Sequence, residues 1–144
     1  APVLLSETTF ISSGGGFKIH YAASGSDAPP AADISPANGI PDWVETVAQT
    51  LEQIRAAYLA IGYRAAPTVA GAPYDVYLLN LAPQRLYGQT TSGVPQGSPG
   101  FANAYASYME IDKDYLETLY PVFFSSPSSL RRFWSNSRAR RPGH

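Results

Sequence analysis

Residues 38–45, Asn-Gly-Ile-Pro-Asp-Trp-Val-Glu, begin the element around which the rest of the chain is predicted to fold. The Asn-Gly pair is a strong turn signal, because glycine adopts a positive φ without strain and asparagine tolerates one. Pro41 suits the first position of a helix, where its missing N–H costs nothing. Apolar residues then recur with helical spacing at positions 44, 47, 51, 54, 58 and 61. The stretch therefore predicts a long helix over residues 41–61, which Gly62 would end.

Four β-prone stretches accompany this helix, at residues 17–22, 74–81, 86–91 and 104–112. The second of them is apolar on both faces, which is typical of a central strand. Residues 1–13 are interpreted as an extended lead-in. The order β–α–β–β–β predicts an α+β fold, in which one long helix packs on a mixed, mostly four-stranded sheet.

Composition and charge divide the 144 residues unevenly. All eleven acidic residues lie within residues 1–117, whereas residues 118–144 hold five arginines and no acid. We therefore predict one domain over residues 1–121 and an arginine-rich tail over residues 122–144, disordered or non-native. The tail follows no nucleic-acid-binding motif, so no nucleic-acid partner is predicted. The absence of cysteine excludes disulfides and thiolate metal sites, and no apolar run reaches the roughly 18 residues of a membrane span.

The stretch at residues 38–45 also matches the second half of an EF-hand calcium loop. If Gly39 stands at loop position six, oxygen ligands fall at positions five, seven, nine and twelve. The first half matches poorly, because apolar Ile34 and Pro36 occupy two ligand positions and the nearest acid comes one residue early. The predicted Ca²⁺ ligands are Asp33, Asn38, the carbonyl of Ile40, Asp42 and Glu45. The alternative, which stays open, is a plain Asn-Gly turn followed by acids that complement the helix dipole.

Other chemistry is weakly supported. Asp112, Asp114 and Glu117 suggest a second, weak cation site, although a solvated acidic turn explains them more simply. The chain has no His-Glu-x-x-His motif for zinc and no Gly-x-Ser-x-Gly motif for a serine hydrolase. His20 is interpreted as a surface or strand-packing residue. The glycines at 14–16 lack the lysine of a phosphate loop and are interpreted as a flexible turn.

Several motifs occur in an order that resembles the front part of secreted bacterial zinc metalloproteases of the zincin type. They lie at residues 17–21, 24–28, 38–45, 74–78, 87–88 and 107–112, and the resemblance covers about residues 10–117. The segment at 38–45 is also similar to the calcium-binding repeats of thrombospondin type 3 and dockerin modules.

The resemblance implies a zincin-like upper subdomain whose edge strand, at residues 105–111, lines the cleft for a protein or peptide substrate. In that family the next helix carries the zinc ligands, and no residue here matches them. We therefore expect a secreted or extracellular amino-terminal fragment of a metalloprotease, inactive alone, with a structural calcium site. The alternative is a non-enzymatic, calcium-stabilised surface binding or adhesion module. The oligomeric state is left open.

Overall fold

The structure of the protein, a computed structural model, describes residues 1–95 and 104–115. This part of the chain contains one α-helix and five β-strands. They are β1 (Glu7–Ile11), β2 (Phe17–Ala22), α1 (Asp42–Ala60), β3 (Tyr74–Leu79), β4 (Gly88–Pro95) and β5 (Tyr105–Asp112). Two single turns of 3₁₀ helix lie at Val69–Gly71 and Ala82–Gln84. The predicted α+β class, with one helix on a mixed sheet, is confirmed.

The strand order across the sheet is β1-β2-β3-β5-β4. The three inner strands run parallel, and each outer strand runs antiparallel to its neighbour. The prediction that residues 105–111 form an edge strand is wrong, because β5 pairs with β3 on one side and β4 on the other. The strand at that edge is β4. The order of the strands in the sequence does not reveal this arrangement. Strands β3 and β4 are consecutive in the chain, but β5 lies between them in the sheet.

Strand β1 was not predicted, and it brings the sheet to five strands. It pairs with β2 through a hairpin whose turn holds the glycines at 14–16, closed by a bond from the Ser12 amide to the Phe17 carbonyl (2.9 Å). Four of its five residues are exposed, and only Phe10 packs against the core. An edge strand with so little buried surface has no strong apolar alternation, so periodicity alone could not reveal it.

The long helix begins and ends within one residue of its predicted bounds. Its buried side chains are Val44, Val47, Ala48, Thr50, Leu51 and Ile54. Gly62 adopts φ +91°, and the Tyr63 amide reaches back to the Tyr58 carbonyl at 3.0 Å, which is the Schellman ending. Ile61, the last position of the predicted apolar stripe, is 71% exposed because it lies beyond this ending.

The main core lies between α1 and the sheet. Its members include Ile19, Val76, Leu78, Met109 and Ile111 from the sheet and Val44, Val47 and Leu51 from the helix. The opposite face of the sheet has a smaller cluster, in which Leu4 packs with Ala22 and Tyr77. Residues before β1 therefore cover part of the face that the helix leaves open.

Aromatic rings close the core where α1 begins. Trp43 packs edge-on against Tyr115, with ring centres 5.3 Å apart, and Tyr87 contacts the same tyrosine. Burial, followed by the nearby Asp112 charge, raises the pKa of Tyr115. The Tyr115 hydroxyl donates to the Tyr87 carbonyl at 3.3 Å. The start of the helix and the carboxyl end of β5 are thus held together.

Candidate cation-binding loop

The loop before α1 is organised first by Asp33. Its Oδ1 accepts the Asn38 amide at 3.0 Å, and its Oδ2 accepts the Gly39 amide at 2.7 Å. Gly39 has φ +87°, a conformation that favours glycine. One carboxylate therefore holds both amides of the Asn-Gly turn.

Asn38 makes a second set of contacts inside the loop. Its Oδ1 accepts the Ile40 amide at 2.9 Å, and its Nδ2 donates to Glu45 Oε1 at 2.7 Å. The first bond is an Asx turn, in which the side chain bends back over the following backbone. The second joins the turn to the first turn of the helix.

Asp42 points back to the loop. Its Oδ1 and Oδ2 each accept the Ile34 amide at 3.1 Å, and Oδ1 also accepts the Ser35 amide at 3.3 Å. The Asp42 amide in turn donates to the Ala32 carbonyl at 2.8 Å. The loop is therefore closed at both ends by acidic side chains that bind backbone amides.

Glu45 carries an unusual atom for this loop. Its Oε1 accepts from Asn38, but its Oε2 is shielded from solvent and has no hydrogen-bond partner among the residues that the structure describes. Buried carboxylate oxygens nearly always have a donor or a cation. Trp43 Nε1, in the same first turn of α1, is likewise buried without a partner among the described residues. Among the predicted ligand residues, Glu45 Oε2 is the buried atom that no described hydrogen bond reaches.

The five predicted ligands are thus brought into one loop, but not into a ready coordination shell. Asn38 and Glu45 touch, whereas Asp33 and Asp42 bind backbone amides on either side of them. Across the described ranges, no group of three or more His, Asp or Glu side chains is arranged to hold a metal ion. At Ile40, whose carbonyl is the predicted ligand, the amide donates to the Asn38 side chain.

Of the second predicted acidic group, Asp112, Asp114 and Glu117, the first has a structural role. Asp112 is buried, with Oδ1 accepting the Leu81 amide at 2.8 Å and Oδ2 accepting the Tyr115 amide at 3.3 Å. It is therefore not the solvated residue that the simpler explanation assumed. Asp114 lies 3.6 Å from the ammonium group of Lys113. Glu117 lies outside the described residues.

A charged cluster that the sequence did not reveal surrounds His20. The imidazole packs within the sheet with Nδ1 against Glu7 and Nε2 at 2.7 Å from Asp75 Oδ1, and it stacks on Tyr77 at 4.3 Å. These groups come from β1, β2 and β3, so the cluster could be predicted only if the pairing of these strands were known. The two carboxylates are therefore held at opposite ring nitrogens of one imidazole.

A shallow cleft of about 200 Å³ opens where β3 and β5 begin. Tyr74, Tyr77 and Tyr108 line it, together with Asp75. The Tyr74 hydroxyl is bonded to Ser107 at 2.7 Å, and burial raises its pKa. The cleft therefore brings three tyrosine rings beside one carboxylate.

Comparison with known proteins adds no relative. The chain matches no family model, no curated protein and no solved structure. In the part that the structure describes, no helix is both long enough and apolar enough to cross a membrane.

Proposed function

We propose that this chain is a calcium-stabilised, non-catalytic α+β domain of a secreted, zincin-like metalloprotease. The observation that carries the calcium part is Glu45 Oε2, a buried carboxylate oxygen to which no group in the described part of the chain donates. Such an unpaired group destabilises a folded state by about 1–3 kcal/mol, and by more when it is charged. A bound cation supplies the missing partner.

The oxygens around Glu45 suit Ca²⁺, a hard cation that prefers carboxylates, amide oxygens and carbonyls. Asp33 keeps a free lone pair on each oxygen after accepting its two amides, and Asp42 keeps one on Oδ2. Binding requires the loop to draw these carboxylates toward Glu45, because they do not form a metal-holding group as they stand.

The expected affinity is low. Ca²⁺ takes about six to eight oxygens, and the chain offers about five, so water completes the shell. Extracellular modules hold calcium with dissociation constants of about 10⁻⁴–10⁻³ M, which an incomplete loop of this kind fits. A domain with an affinity in this range would be loaded where calcium is millimolar, as it is outside the cell.

Support for the zincin-like part comes from the ordered motifs together with the architecture. The resemblance implies a sheet and a long helix, and the corresponding elements here are the five-stranded sheet and α1. The edge strand that it implies at residues 105–111 gives no support, because those residues lie inside the sheet. The zinc of that family does not fit the described residues. His20 is their only histidine, and both its ring nitrogens face carboxylates. No hydrolytic step is therefore assigned to this chain.

Thermal unfolding with calcium or with a chelator tests the metal. The midpoint should rise in millimolar calcium, and each tenfold increase above the dissociation constant should add about 1.4 kcal/mol to the free energy of unfolding. Glu45→Gln should abolish the calcium-dependent rise, because it removes the charge at the unpaired oxygen. Asp27→Asn is the matched control, since Asp27 binds the Asn80 amide outside the loop (2.9 Å).

Two outcomes would overturn parts of the proposal separately. An unchanged midpoint in millimolar calcium, or an equal calcium shift in Glu45→Gln, removes the metal site. Hydrolysis of a protein substrate by the purified chain with added zinc, stopped by a chelator, contradicts the non-catalytic assignment.

A further inference from the structure

We propose that Asn38-Gly39 is a site of spontaneous deamidation, assisted by the loop around it. The pair is the only Asn-Gly in the sequence, and both residues are exposed. A side chain at the second residue normally hinders the backbone nitrogen that must attack. Gly39 has no side chain, and apart from its two chain neighbours no described residue has an atom within 4 Å of the place where a Cβ would stand.

The loop supplies a base for the attacking nitrogen. The Gly39 amide donates to Asp33 Oδ2 at 2.7 Å, so a carboxylate is already in position to take its proton. A base within direct hydrogen-bond reach of the proton it removes meets the geometric requirement for general-base catalysis.

The loop also activates the group that is attacked. The Ile40 amide donates to Asn38 Oδ1 at 2.9 Å, where negative charge develops as the nitrogen adds to Cγ. A preorganised backbone donor at such an oxygen stabilises the tetrahedral intermediate.

The reaction is balanced without an oxidant or cofactor. The Gly39 nitrogen bonds to Cγ of Asn38, its proton passes through Asp33 to the leaving amide nitrogen, and the Cγ–Nδ2 bond breaks to release ammonia. The product is a cyclic succinimide. One water then opens the ring at either carbonyl, giving aspartate or isoaspartate at position 38.

Asn80 serves as an internal comparison. The following amide, that of Leu81, also donates to a carboxylate, Asp112, at 2.8 Å. However, Asn80 Oδ1 has no donor among the described residues, and the Leu81 side chain hinders ring closure. A base alone is present at Asn80, whereas both a base and an oxygen donor are present at Asn38.

The modification changes the contacts of the loop. Aspartate at position 38 lacks the Nδ2 donor to Glu45 and puts a second negative charge beside it. Without calcium, this repulsion should lower the thermal midpoint of the Asn38→Asp variant. The effect of calcium rests on the proposed function: if the loop binds Ca²⁺, the added carboxylate should enlarge the calcium-dependent shift.

The test follows ageing of the full chain in a chelator at mildly alkaline pH, with peptide mapping by mass spectrometry. We expect aspartate and isoaspartate to accumulate at position 38 and no product at Asn80. Asp33→Asn should slow the reaction about tenfold or more, since it removes the base. Asp27→Asn, an equal change of charge outside the loop, should react at the parent rate.

Circular dichroism of each variant checks that α1 is retained, so a slow rate is not the result of unfolding. An unmodified position 38 in the aged native chain would overturn the proposal. So would an Asp33→Asn variant that folds and reacts as fast as the parent. The chelator keeps calcium out of the ageing experiment. A negative result for deamidation therefore does not bear on the metal site, which the thermal unfolding experiments test separately.

Discussion

Glu52 is the side chain that joins the middle of α1 to the hairpin between β1 and β2. Its Oε1 accepts the Ser12 hydroxyl at 2.5 Å and the Gly16 amide at 2.7 Å. A Cβ at Gly14 would stand 2.7 Å from the Glu52 carboxyl carbon, so a larger residue there would displace this carboxylate. Burial alone would raise the pKa of Glu52, but these bonds together with Arg55 hold it below its usual value.

Glu52→Gln should therefore destabilise the fold in a pH-dependent way. A carboxyl whose pKa is lowered by folding stabilises the protein above its ordinary pKa of 4.5, and that stabilisation is lost as the pH falls below it. The expected loss is about 1–2 kcal/mol at neutral pH, since the bonds go to a charged acceptor, and little at pH values below the folded-state pKa. Urea unfolding at neutral and acidic pH measures both.

Gln53→Ala is the control for this change, because Gln53 is the exposed neighbour on the same helix. It should change the free energy of unfolding little at either pH. An equal loss for Glu52→Gln at both pH values would show that shape, and not the carboxylate charge, holds the hairpin to the helix.

At the scale of the element, α1 is held by one buried stripe. Leu51 and Leu59 are on the same helix, but Leu51 is 5% exposed and Leu59 is 40% exposed. Leu51 packs in the main core with residues from β2, β3 and β5. The helix therefore depends on tertiary packing more than on its own propensity.

The two leucines form a matched pair for mutation. Leu51→Ala should destabilise by about 2–4 kcal/mol, because it removes buried methyl groups and leaves a cavity. Leu59→Ala should cost much less, since both residues favour helix and little surface is lost. Chemical denaturation of the two variants measures the difference, and equal losses would contradict the burial of this stripe.

At the scale of the whole molecule, the strands at the centre of the sheet are buried and the edge strand β1 is mostly exposed. The Ser12 amide donates to the Phe17 carbonyl, and hydrogen-bonded residues alternate along an antiparallel pair of strands. The amides of Thr8 and Phe10 therefore face β2. The amides of Thr9 and Ile11 then face outward. Within the described ranges no strand pairs with that outer edge.

Hydrogen exchange should follow this gradient. The amides of Val76 and Leu78 in central β3 should exchange slowest, near the rate set by global unfolding. Those of Thr9 and Ile11 should exchange fastest in β1, and those of Thr8 and Phe10 should exchange at rates between these limits. NMR-detected exchange measures each amide. Strong protection of Thr9 would mean that another segment or molecule covers the β1 edge.

The sequence by itself determined the elements with a strong local period. The bounds of α1, the ending at Gly62 and the inner strands follow from spacing, turn residues and apolar runs, all of which are local properties of the chain. The same local signals brought the predicted ligands Asp33, Asn38, Asp42 and Glu45 to one loop.

Only the tertiary structure decided what depends on distant pairing. Strand β1, the edge position of β4 and the carboxylates around His20 arise because segments far apart in sequence lie side by side in the sheet. The buried, unpaired oxygen of Glu45 also needs the folded surroundings that exclude water from it. Strand order and burial are properties of the assembled layers, and no window of sequence contains them.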